Sequence, residues 1–145
     1  TVGADWSAEG MEPAAEALGQ GELLVTPRQM ASVVATLGND GVRPSLHVLL
    51  APQAGCEAGE ASEPERVIDA AVAEQTRGLW ASFGGEVIGH LGRSAAGPER
   101  TQSWFLGLNS AEVPRYGVVV FIDDSSEPGL AASIGTRLLV KAGMP

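Results

Sequence analysis

The chain holds one lysine, Lys141, one cysteine, Cys56, and two histidines, His47 and His90, among 145 residues. Each scarcity excludes some chemistry. A single cysteine rules out an internal disulfide, and Cys56 sits between Gly55 and Glu57, where acidic neighbours disfavour a reactive thiolate. Neither histidine has Cys, Asp or Glu at metal-ligand spacing, so both read as structural residues and no metal or other cofactor is expected. No serine has lysine three positions on, and a serine hydroxyl without an adjacent base is a weak nucleophile. Ser94, His90 and Asp123 can be assembled into a triad on paper, but no spacing supports it and no Gly-x-Ser-x-Gly elbow occurs. Nine basic residues against eighteen acidic give a net charge of −9, which excludes nucleic acid and anionic lipid as partners and reads as solubility. No apolar run approaches the roughly 18 residues that span a bilayer, and no signal-peptide pattern is visible.

What is present describes one globular domain, 1–145, with 44% apolar and 19% charged residues and no internal repeat or linker. Asp5 to Glu22 carries five acidic groups and no basic one, with a short helix expected around Pro13–Leu18. Thr26, Pro27 and Gln29 form a capping box that starts a helix over Pro27–Leu37, with Met30, Val33, Val34 and Leu37 on one face. Gly38 suits its C-terminal cap and Asn39-Asp40-Gly41 a turn. A short apolar strand or extended segment is expected over Leu46–Leu50, then a loop over Pro52–Glu63. Ser62, Pro64 and Glu65 repeat the capping logic, so a second helix is expected there, its stripe formed by Val67, Ile68, Ala71, Val72, Gln75 and Leu79. Strands are expected over Glu86–Leu91, Ser103–Leu108 and Arg115–Ile122. The Asn109–Pro114 loop makes the last two antiparallel neighbours. A final helix, about Pro128–Lys141, is expected to bury Leu130, Ile134 and Leu138. Trp104-Phe105 is expected in the core between sheet and helix. Gly84-Gly85 and Asp123-Asp124 read as turns rather than a phosphate loop and a cation site.

The segment Gly19-Gln20-Gly21, followed by Thr26-Pro27-Arg28-Gln29-Met30-Ala31, resembles the Gly-Gln-Gly and Thr-Pro-x-Gln-Met-Ala segment of the penicillin-binding transpeptidases. Downstream, Trp104-Phe105-Leu106-Gly107 resembles that family's Trp-Phe-x-Gly strand, and Tyr116 to Ile122 its next apolar strand. Gly92-Arg93-Ser94-Ala95-Ala96-Gly97 stands where the family has Lys-Thr-Gly, with Arg for Lys, Ser for Thr and Ala for Gly. Neither Ser-x-x-Lys nor Ser-x-Asn occurs, the family's two other motifs.

The resemblance implies the C-terminal portion of a transpeptidase domain: an α/β fold of the α+β type, an antiparallel sheet flanked by helices, as in the transpeptidases and β-lactamases. It implies serine acyl transfer in peptidoglycan cross-linking for the parent, no catalytic residue here, and a substrate-binding strand at Arg93, Ser94, Ala95 and Ala96. The implied partners are a peptidoglycan stem peptide or a β-lactam. The implied location is the cell envelope, outside a cytoplasmic membrane to which an anchor absent from this chain would tie the parent. The altered Arg93-Ser94-Ala95 supports an alternative, a non-catalytic module that contacts other envelope proteins. The bare chain is expected to self-associate, through strand pairing or exchange of its last helix.

Overall fold

A computed structural model describes residues 24–45, 63–95, 100–124, 127 and 129–144. Helix α1 (Pro27–Gly38) begins where the capping box requires. The Thr26 hydroxyl accepts from the Gln29 N–H, and the Gln29 amide oxygen accepts from the Thr26 N–H at 2.8 Å. Val34 and Leu37 are buried, but Val33 faces solvent. Gly38 is the last helical residue rather than the cap. Asn39 caps the helix, and the chain reverses through Asp40 and Gly41 at φ 47° and 84°. A side chain at Gly41 would strike the Ile68 carbonyl, so the turn needs glycine.

Strands β1 (Val42–Arg43) and β2 (Glu65–Arg66) pair antiparallel, and Arg43 meets Glu65 at 2.5 Å across them. This corrects the helix expected from Ser62. Glu65 lies in a ladder, and the N–H groups of Val67 and Ile68 donate to the Gly41 carbonyl instead of opening a helix. Helix α2 (Ala70–Gly78) starts after Asp69 and buries Ala73 and Arg77; Val67, Val72 and Leu79 are exposed.

The second sheet has the order β3-β4-β5-β6, all antiparallel: β3 (Ala81–Ser82), β4 (Ile88–Ala95), β5 (Thr101–Leu108) and β6 (Gly117–Ile122). The turn at Gly84-Gly85 uses positive φ at both glycines. Helix α3 (Leu130–Gly143) closes the chain.

The sheet lies between α1 and α3. Leu106, Leu108 and Val119 pack on Val34 of α1, while Phe105, Val118, Val120 and Ile122 pack on Ala131, Ala132 and Leu139 of α3. Phe105 is wholly buried and meets Phe83 edge to face at 5.0 Å. Trp104, one residue away, points to the opposite face, where it packs on Phe121 at 4.5 Å and is partly exposed. Only Phe105 of that pair therefore joins the core.

Helix α3 buries a different stripe from the one its large side chains suggest. Leu130, Ile134 and Leu138 are exposed, whereas Ala131, Ala132, Gly135 and Leu139 are buried. The cause is proximity: a Cβ at Gly135 would lie 2.2 Å from Phe105 Cδ1. Only small residues let the helix rest on that ring.

Candidate functional site

The strand carrying Arg93 has an open edge. Strand β3 pairs with β4 only at Ile88 and Gly89, and among the described residues no strand lies beside β4 further on. The Phe83 N–H donates to the Val87 carbonyl at 2.9 Å, which fixes the alternation along β4. A residue's N–H and C=O point to one edge and its neighbour's to the other. Leu91, Arg93 and Ala95 therefore turn their backbone groups to the open edge. Such an edge is a template for an extended peptide.

Arg93 is exposed and pairs with Ser103, which in turn pairs with Ile122, so all three share the α3 face. Ser103 is wholly buried and its hydroxyl has no partner among the described residues. Ser94 stands opposite Gln102 and Ala95 opposite Thr101; Ala96 lies outside the described residues. So too do Gly19–Gly21, Leu46–Leu50, His47, Cys56 and the expected helix at Pro13–Leu18. The ladder puts Arg93 and Ser94 on successive positions of β4, which runs on past Leu91, where the strand was expected to end.

The return arm of the hairpin after β4 is tied to the end of β6. Asp123 accepts from Arg100 at 2.5 Å and from Gln102 at 3.2 Å. The Arg100–Asp123 pair is half exposed, which limits it to about 1 kcal/mol or less. Asp123 is thus spent on strand closure, and His90 pairs with Leu106 on an exposed strand position; the paper triad has no counterpart. No group of three His, Cys, Asp or Glu residues among those described could hold a metal ion. No helix among them is long and apolar enough to cross a membrane.

Arg77 was not visible as special in the sequence. Its guanidinium is buried and donates to the Ala111 carbonyl at 3.1 Å, to the Leu37 carbonyl, and to Asp40 at 3.0 Å. It joins α2 to the end of α1 and to the β5–β6 loop. A cleft of about 360 Å³ lies beside that junction, between α1 and the start of β6, lined by Val34, Gly38, Leu108, Tyr116 and Gly117. It is at the opposite end of the sheet from Arg93.

The sequence matches the family model of the penicillin binding protein transpeptidase domain over residues 3–83, more than half of the chain. That match takes in the glycine segment, α1 and α2, and stops before β4. The fold is similar to that of penicillin-binding protein A from M. tuberculosis in its imipenem acyl-enzyme complex. The identity is 23%, the TM-score 0.65, and the overlap covers 88% of this chain and 32% of that one. A crystal structure of PBPA from the same organism gives 20% identity and a TM-score of 0.65, with 88% of this chain and 34% of that one covered. The chain thus spans about a third of the length of these proteins. No curated protein sequence matches it.

Proposed function

The chain belongs to the penicillin-binding protein transpeptidase domain family, and on that premise we propose that its 145 residues form a single unit, the C-terminal portion of such a domain. It supplies the sheet wall of a peptide-binding cleft in the cell envelope, outside the cytoplasmic membrane. The open edge of β4 carries this reading. An extended stem peptide lies along it and exchanges backbone hydrogen bonds with Leu91, Arg93 and Ala95. Its terminal carboxylate meets Arg93, whose planar fork suits a carboxylate bidentately. A guanidinium stays charged, so Arg93 binds and orients and takes no part in proton transfer. Acyl transfer, and acylation by a β-lactam, depend on a serine and a lysine that this sequence does not contain in the needed spacing.

A peptide ending in D-Ala-D-Ala tests this. On titration, the amide signals of Leu91 and Arg93 shift, and either Arg93→Ala or esterification of the peptide weakens binding about tenfold, the loss of one charge-assisted pair. Unmoved β4 signals would sink the reading. They would favour the second one, supported by Arg93-Ser94-Ala95 in place of Lys-Thr-Gly: a non-catalytic module that contacts other envelope proteins.

A further inference from the structure

Strand β5 extends past the end of β6. The ladder between them stops at Ser103 and Ile122, but β5 reaches back to Thr101, opposite Ala95 of β4. Directly after Asp123 the chain turns out of the sheet, with Asp124 at φ 56°. The last rungs of β4 and β5, Ser94 with Gln102 and Ala95 with Thr101, are therefore a two-stranded ribbon with no third strand beside it among the described residues. Such ribbons twist more than a sheet does and hold their shape poorly alone. Yet this one carries the open edge at its far end, from Arg93 to Ala95.

One side chain stands in for the missing strand. Asp123 continues the register of β6 level with Gln102, on the same face as Phe121 and Trp104. Its Oδ1 accepts from Gln102 Nε2 at 3.2 Å and its Oδ2 from Arg100 Nη2 at 2.5 Å. The two donors flank Thr101, so one carboxylate holds the ribbon at two points. The rung before it, Trp104 against Phe121, is fixed by ring packing. We propose that Asp123 is a positioning residue for peptide binding at the β4 edge. It sets the twist of the ribbon, and so the line of the backbone groups of Arg93 and Ala95 along which an extended peptide lies. This role rests on the reading that a peptide binds that edge. Asp123 follows β6, two strands away from the edge, and acts through β5 rather than by contact. Charge separates this role from a simpler one. A carboxylate near the site repels an anionic peptide, so by Coulomb's law alone its removal strengthens binding. Positioning gives the opposite sign.

The test is titration of the full 145-residue chain with a peptide ending in D-Ala-D-Ala, followed by amide signals. Asp123→Asn keeps the shape of the side chain and removes its charge. It should weaken binding about three- to fivefold, the most that an exposed bridge supplies. In the free variant the Ser94 and Gln102 amides, whose backbone groups face each other across the ribbon, should exchange faster than in the wild type, while the Trp104 amide should not. Exchanging the pair, Asp123→Arg with Arg100→Asp, should restore the affinity, since the Gln102 amide accepts as well as donates. Glu65→Gln breaks a similar exposed bridge, to Arg43 in the small β1–β2 sheet, and should leave the affinity unchanged. Unchanged or tighter binding by Asp123→Asn would overturn the proposal and leave the peptide reading intact. So would a pair exchange that restores nothing, or an equal loss in Glu65→Gln, which would mark a general loosening of the fold. Wild-type β4 signals that do not move would overturn the peptide reading and this role together.

Discussion

Arg77 shows what a single side chain does here that its type does not announce. In the sequence it is one arginine on an Ala-rich helix, where a solvated charge is the usual reading. In the fold it is buried and satisfies carbonyls of Leu37 and Ala111 that belong to two other segments. Its acidic partner, Asp40, is two-thirds exposed, so the ion pair contributes little beside the bonds to the carbonyls. Arg77→Ala should therefore cost about 1–3 kcal/mol, the penalty for stranding buried acceptors. Asp40→Ala should cost less than about 1 kcal/mol. Urea denaturation of the two variants decides the point. Equal losses would mean that the ion pair, not the carbonyl network, holds the junction.

At the scale of elements, the sequence was legible where local signals and packing agreed. The capping box of α1 and the β5–β6 hairpin formed as expected, the latter helped by Asn109, whose side-chain oxygen accepts from the Arg115 and Tyr116 N–H groups. It misled where tertiary pairing overrode a cap, as at Glu65, and where size was taken for burial, as in α3. The helical period of α3 was right and its phase was wrong, because contact with Phe105 selects Ala and Gly over Leu and Ile. The measurable consequence is a contrast within one helix. Leu139, 2% exposed, should cost about 2–5 kcal/mol on replacement by Ala. Ile134→Ala should cost less than about 1 kcal/mol in the monomer, since that side chain is 40% exposed. Thermal unfolding of the two variants at low protein concentration separates them, and a reversed order would mean that the helix docks by its large stripe after all.

For the whole molecule, the resemblance named a family that the family model and the fold bear out, on motifs that physics alone reads as a capped helix and two strands. The strand at Arg93, to which we assign peptide binding, was picked out by motif order. The openness of its edge could not be, because it depends on how short β3 is. What chemistry the chain performs alone follows from what its lysine can reach. A serine nucleophile of this family needs lysine one helical turn away. Lys141 lies exposed in the last turn of α3, and the residues three and four before it are Leu138 and Arg137. Ser103, on the strand beside Arg93, is wholly enclosed and out of reach of any ligand. Labelled penicillin should therefore add no stoichiometric mass to the chain, even where a D-Ala-D-Ala peptide binds the β4 edge. Intact-mass measurement with peptide mapping checks it. An adduct on any serine would show a nucleophile activated by some means other than a serine–lysine pair, and would undo the proposal that this chain binds and another segment reacts.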